Sequence, residues 1–502
     1  MSLTSLPFLC FFGFSLVLYY ALPRKFQWVE LLLFSLCFFL LSSAPHTIFY
    51  LIASVLSTWI CAWQMTSKGG KRAKAALAAG LIINLGMLGL LKYSNFFILN
   101  FNRMFSVSIP KLDILAPLGI SYYTLSVVGY LLDCYWGTVT PQNSLMKTAL
   151  FVGYYPQLTS GPIVRYQQVN QQLYERHAFD YQRVAFGLQR MLWGIFKKLV
   201  ISARLSILVD TIYGDSAVYP GLYVWLAAAL FMLQLYTDFS GCIDIIMGAS
   251  ECYGIKLPEN FRTPFFSRSI QEFWQRWHIT LGAWFRDYIL YPVLRTNAIR
   301  RLTTWVKADF GKKAAKQLPS YLGMLCVWIL IGLWHGGSWK YILGMDIWFW
   351  LLIMLSQVFE PLFKKIIQLL QINTDCFSWR LFQALRVFAL VCFGNMFFRL
   401  DGFLTTLRTM KAGLSRWNPE IFFDGSLLKL GLDGPYLGVV VVSLCVLLIV
   451  SVLQEKESVR EQLARQNLVF RWAILLGLIF GIILLGMYGP GYDAQSFIYE
   501  HF

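Results

Sequence analysis

The sequence predicts an all-α polytopic membrane protein, a bundle of about 11–12 transmembrane or re-entrant helices. Three observations predict it. Hydrophobic residues make up 57% of the 502 and charged residues only 14%, where a soluble domain carries nearer a quarter charged. Apolar runs long enough to cross a bilayer as a helix, roughly 18–20 residues, recur from one end of the chain to the other. The net charge of +17 is gathered in clusters beside those runs, at Arg24 and Lys25, residues 68–74, 295–316, Lys364 with Lys365, and 460–465. Positive charge flanking apolar spans marks the cytoplasmic side and contacts anionic membrane lipid, so no nucleic-acid partner is expected.

The elements follow in order. Residues 6–22 form the first span; the N-terminus lacks a basic leader region and a cleavage site, so it reads as retained. Pro23, Arg24 and Lys25 stop it on the cytoplasmic side. Residues 28–43 and 46–64 form a hairpin through Ser42, Ser43, Ala44 and Pro45, and the basic loop 67–74 returns to the cytoplasm. A fourth span covers 75–92, and the mixed segment 95–117 is placed at the outer interface. Residues 117–160 are apolar but interrupted by Asp133, Pro156, Gly161 and Pro162. Broken helices at membrane depth persist only where protein buries them or they line a cavity, which makes this stretch the expected site region. Helices follow over 185–210 and 218–255, then spans near 321–334, 340–360, 381–400, 434–453 and 470–488. The whole reads as one integral-membrane domain, 1–502, without internal repeats.

The segment 267–291, SRSIQEFWQRWHITLGAWFRDYILY, lies between apolar runs yet carries Glu272, Arg276, His278, Arg286 and Asp287. At helical spacing Trp274, Trp277, Leu281, Trp284 and Tyr288 line one face, and Gln271, Gln275, His278, Gly282 and Arg286 another. It reads as one amphipathic helix at the membrane interface with His278 on its polar side. Glu272 and Arg276 are spaced to pair.

Ionisable groups inside apolar runs are functional candidates by default. Asp238, Asp244 and Glu251 are such groups, with a structural pairing to a nearby arginine as the plainer reading. His335 ends an apolar span in GLWHGGSW, between Trp334 and Trp339 and ahead of two glycines and Ser338. An imidazole there can take a proton near neutral pH. Among the other three of the five histidines, His46, His177 and His501 sit in a loop, a polar segment and the tail. The ten cysteines show neither C-x-x-C pairing nor metal-ligand spacing, so neither a disulfide framework nor a metal site is expected. No nucleophile elbow and no phosphate-binding glycine loop is present. Direct attack by an acceptor hydroxyl, with histidine accepting its proton, needs the fewest groups.

Three segments together resemble the membrane-bound O-acyltransferases: YYPQLTSGPIVRY (154–166), the stretch from YTDFSGCIDIIMG through PENFRTPFFSRSIQEFWQRWHITLGAWFRDYILYP (236–292), and GLWHGGSW (332–339). With GIFKKLVISARLSILVD (194–210) and FALVCFGNMFFRLDGF (388–403), the resemblance covers about 110–405, with spans 1–92 and 434–488 peripheral to it. Within the family the chain is most similar to the alginate O-acetyltransferase branch. It departs from that branch where YPVLRTNAIRRL replaces a glycine-rich turn, and where Asn395 stands in place of a tryptophan.

The resemblance implies that His335 is the catalytic histidine and His278 the second motif histidine. It implies a central protein-lined tunnel, an acyl donor from the cytoplasm and an acceptor on the other face. Trp334, Ser338 and Trp339, with Trp274, Gln275, Arg276, Asp287, Asp238 and Asp244, are the candidates for lining it. The expected activity is transfer of an acyl group, acetyl first, to hydroxyls of an extracytoplasmic polysaccharide. The donor is a thioester, acetyl-CoA or an acyl carrier protein, with no bound cofactor. A periplasmic or extracellular accessory acyltransferase is a further implied partner, and the bacterial cell membrane the implied location. The alternatives are D-alanyl transfer to teichoic acid and a lipid or glycan transporter.

Overall fold

A computed structural model describes residues 1–65 and 70–488; residues 67–69 of the basic loop and His501 lie outside them. The regular elements of the described residues are all helices, without strands. Nine of their helices are long and apolar enough to cross a membrane. They are Arg24–Ser42, Pro45–Gln64, Lys71–Phe105, Leu222–Cys252, Asn297–Gly336, Lys340–Val358, Phe377–Arg399, Gly434–Gln454 and Leu468–Leu485, with the shorter Leu6–Ala21 beside them. The protein is a multi-pass membrane protein.

Burial separates axis from periphery. In Leu222–Cys252 61% of the apolar window is inside the protein, against 17% in Gly434–Gln454 and none in Leu468–Leu485. Leu222–Cys252 packs along its length against the helix Tyr181–Phe196. Glycines at sevenfold spacing make that contact backbone-to-backbone. A Cβ on Gly194 would lie 2.5 Å from the carbonyl oxygen of Gly241, and one on Gly248 would lie 2.4 Å from that of Gly187. Without a solvent-driven hydrophobic force between helices in lipid, such close approach supplies the dispersion contact that holds them.

The same pair buries charge. Asp244 bridges Arg190 at 2.8 Å and Lys197 at 2.6 Å, and Arg190 also reaches Glu259 at 2.6 Å. Asp238 is paired with Lys198. The structural pairing anticipated for these two aspartates is observed, with lysines as well as an arginine. Glu251 pairs with Arg460 at 2.6 Å, tying the segment after Gly434–Gln454 to the central helix.

Two elements differ from their expected form. The helix after residue 92 runs on through a π-turn, Gly89–Tyr93, to Phe105, where an interfacial segment was expected. The span expected over 321–334 is the end of a 40-residue helix, Asn297–Gly336, kinked at Gly311 with φ 82°. Between 120 and 165 the breaks expected at Pro156, Gly161 and Pro162 are present, whereas Asp133 lies within the continuous helix Ile120–Trp136 and does not interrupt it. Ile120–Trp136 and the single turn Tyr155–Leu158 are almost wholly buried in protein, and Leu145–Gly153 is buried over its second half.

Candidate active site

The segment 267–291 is two short helices, Ile270–Arg276 and Ile279–Phe285, followed by a π-turn, Arg286–Leu290. The expected single amphipathic helix is therefore corrected. His278 sits at the break in left-handed conformation, φ 45° and ψ 49°, which costs a non-glycine residue energy and persists only where neighbours hold it. Here the linker before it does so. Arg262 N donates to the carbonyl of Arg276 at 2.9 Å and Ile279 N to the carbonyl of Asn260 at 3.0 Å, so one orphaned group at each of the two facing helix ends is satisfied. The break turns His278 off the polar stripe and inward, leaving it 3% exposed.

Asn260, fully buried, organises that interior. Its Oδ1 accepts from Thr280 N at 3.2 Å and from Thr280 Oγ1 at 2.8 Å, and Nδ1 of His278 lies 3.2 Å away. Because a backbone N–H can only donate, Oδ1 is the acceptor, and the proton of neutral His278 is on Nδ1. Nε2 therefore carries the lone pair, and it is buried without a hydrogen-bond partner among the described residues. Phe239 meets the imidazole edge-on at 4.8 Å between centroids.

His335 approaches from Asn297–Gly336, whose last turn is closed by Gly337 at φ 58°. Its ring lies inside the protein, with centroids 5.4 Å from Trp334, 5.8 Å from Phe398 and 6.2 Å from Tyr341. The indole of Trp334 is 6.0 Å from His278. Two histidines 57 positions apart in sequence thus both lie against one tryptophan in the protein interior. That tryptophan is pinned on three sides. Its Nε1 donates to the Ser121 carbonyl at 3.1 Å, and its own carbonyl accepts from Lys92 Nζ at 3.0 Å and Tyr93 OH at 3.3 Å. Lys92 also donates to Ser121 Oγ at 2.9 Å.

The remaining predicted residues are distributed more widely. Trp274 packs on Trp328 and Phe349, at 5.1 and 4.9 Å between centroids. Gln275 is exposed. Arg276 pairs with Glu272 at 3.0 Å, as its spacing indicates, and with Glu455 at 2.6 Å. Asp287 pairs with Arg165 and, at 3.0 Å, with Arg286. Trp339 is 45% exposed and donates to Asn100 Oδ1 at 2.7 Å. Ser338 caps the following turn through its carbonyl, which accepts from Tyr341 N at 3.1 Å. Asp238 and Asp244 stay in the ion pairs of the central helix pair. His46 is exposed, and His177 Nε2 lies 2.8 Å from the Gln172 carbonyl.

Outside the spans, Glu455 shows what these pairs do to a carboxyl. Burial pushes it up, but the hydrogen bond from Thr263 and the Arg276 guanidinium outweigh burial and hold it below the ordinary glutamate range.

Asn260, Lys92 and Asp346 were not singled out in the sequence. Lys92 and Asp346 are lone ionisable residues in apolar runs, a signal that applied equally to Asp238. No group of three potential metal ligands occurs among the described residues.

The profile of the membrane-bound O-acyltransferases matches residues 138–400. The chain is 29% identical over 365 residues to a peptidoglycan O-acetyltransferase of Helicobacter pylori, covering 66% of this chain and 65% of that protein. It is 31% identical over 392 residues to a probable alginate O-acetylase of Pseudomonas syringae pv. tomato, covering 76% and 69%. A teichoic acid D-alanyltransferase of Bacillus subtilis is 28% identical over 238 residues, covering 47% and 57%. The match to the Helicobacter protein thus spans just under two thirds of that protein's length. With a profile covering more than half of its 502 residues, the chain belongs to the membrane-bound O-acyltransferase family.

Proposed function

We propose that this protein is an O-acyltransferase of the bacterial cell membrane. It moves an acyl group, acetyl first, from a cytoplasmic thioester to hydroxyls of an extracytoplasmic polysaccharide, directly or through an accessory acyltransferase outside the membrane. The observation that carries the reading is the convergence of His278 and His335 on Trp334 in the protein interior. The names of the relatives, acetyltransferases of peptidoglycan and alginate, support the acceptor class.

In this reading His335 accepts the proton of the acceptor hydroxyl as its oxygen attacks the thioester carbonyl. The C–S bond breaks as the C–O bond forms, and the thiol leaves with the proton. A positioned base of this kind is worth about 10²–10⁴ in rate. His278, holding its proton on Nδ1 toward Asn260, presents Nε2 as a second acceptor in the same interior. Acetyl-CoA or an acyl carrier protein supplies the thioester.

Ester analysis of purified surface polymer tests this. A deletion strain is expected to lose polymer-bound acetyl, wild type to restore it, and His335→Ala to fail to restore it while the protein remains in the membrane. Full acetylation by His335→Ala overturns the assignment. Loss of alanyl ester in place of acetyl points to the teichoic acid reaction, and loss of polymer export with unchanged acylation of the remainder to transport.

A further inference from the structure

Asp346 is a buried acid beside His335 that the reaction just described leaves unused. It is fully buried at the end of the π-helix Lys340–Asp346, and neither carboxylate oxygen has a hydrogen-bond partner among the described residues. Its Oδ2 faces Nδ1 of His335 at 3.9 Å. Gly332, one turn before His335 on the same helix face, makes room for it: a Cβ there would lie 2.7 Å from Oδ2 and 2.8 Å from the Ile342 backbone. An isolated carboxylate in such a place is expensive unless it is paired. An acid held against a glycine and aimed at a histidine therefore invites a role for that cost.

We propose that Asp346 is a positioning residue for His335, holding the imidazole with Nδ1–H toward its carboxylate and Nε2 toward the acceptor alcohol. Once closed to hydrogen-bond distance the pair holds one proton, on Nδ1. When Nε2 takes the alcohol's proton, the imidazolium and the carboxylate neutralise each other. Proton uptake thus relieves a buried charge instead of creating one, and this lowers the barrier at the step where the base works. The proton on Nε2 then leaves with the thiolate as the C–S bond breaks, returning the pair to its starting state. A movement of about 1 Å brings the two atoms within hydrogen-bond distance, a range that substrate binding commonly supplies.

The surrounding charged and titratable groups are few. Lys92 is hydrogen-bonded to the Trp334 carbonyl, and His278 lies across the Trp334 ring. Tyr341 stacks obliquely on His335; Lys340 lies 3.5 Å from Asp401 and donates to the Leu400 carbonyl; Arg399 is paired with Asp210.

The inference rests on the proposed acyl transfer, and the test separates the two. Membrane vesicles from a deletion strain complemented with each variant are supplied with radiolabelled acetyl-CoA, and in parallel with acetyl-loaded acyl carrier protein. Transfer to surface polymer is followed against pH. Asp346→Asn is expected to lower kcat on the order of 10²-fold or more, with KM for the donor nearly unchanged. Without the carboxylate the imidazole protonates less readily, so the acid limb of the rate profile moves to lower pH by about one unit. Asp346→Glu is expected to recover part of the rate and the original limb. A rate for Asp346→Asn within threefold of wild type, or a loss with an unshifted profile that Glu does not rescue, overturns the inference while leaving the acyl-transfer reading intact. Transfer surviving in His335→Ala overturns both.

Discussion

Nδ1 of His278 and Oδ1 of Asn260 lie 3.2 Å apart, and this contact decides which imidazole nitrogen is free. The same oxygen also receives both polar hydrogens of Thr280, whose hydroxyl in turn accepts from Ile163 N at 3.0 Å. One amide thereby links the linker before the broken helix, the break itself and the loop 159–165.

Asn260→Ala removes that acceptor and leaves the donors of Thr280 and His278 buried without it. Each such group costs about 1–3 kcal/mol, and the imidazole loses the contact that orients it. Acyl transfer is expected to fall about 10–100-fold, as for loss of an orienting partner elsewhere. Asn260→Asp, which keeps the acceptor oxygen, is expected to retain more activity than Ala at matched protein levels. Equal activities in initial-rate assays would show that His278 is oriented by other means.

The Arg276–Glu455 pair docks the end of Gly434–Gln454 on the helix preceding His278. The Glu455 carboxyl is held below its usual range in the folded protein, so the stabilisation is present above the unfolded value, about 4.3, and is lost as pH falls through the lower folded value. Wild type is therefore expected to exceed Glu455→Gln in thermal stability by about 0.5–1 kcal/mol near neutral pH. The gap should begin to narrow only below about pH 4.3, close as pH falls further, and narrow in high salt. A gap independent of pH in detergent-solubilised melts would assign the contact to packing.

Gly194 touches the backbone of Gly241, whereas Gly438 has open space where a Cβ would stand. Gly194→Leu is expected to force the helices Tyr181–Phe196 and Leu222–Cys252 apart. The cost is about 1–3 kcal/mol or failure to assemble, read as a lowered melting temperature or as aggregation in size-exclusion chromatography. Gly438→Leu on the outer helix should leave both measurements unchanged.

The span positions were legible because in lipid every backbone polar group must be satisfied within its own helix, and the length of an apolar run then suffices. The breaks near Pro156 and Gly161 were legible for the same reason. Residues 94–105 were misread because Asn95, Asn100 and Asn102 look like loop residues. In the fold Asn95 and Asn102 each donate to a backbone carbonyl beyond the helix end, of Leu112 and Ile109, while Asn100 bonds back to Phe96 within it. The segment 267–291 was misread because its aromatic spacing is helical on both sides of His278. The left-handed residue shifts the second half without disturbing that spacing.

By itself the sequence determined that the chain is a multi-span helical membrane protein, and that His278 and His335 stand in motifs shared with an acyltransferase family. Those properties reside in composition, run length and local order. Only the tertiary structure decided that His278 reaches Trp334 beside His335, that Asn260 sets the tautomer of one imidazole and that Asp346 faces the other. These are contacts between residues 11 to 56 positions apart, and their partners are set by how buried surfaces pack, which local spacing does not encode.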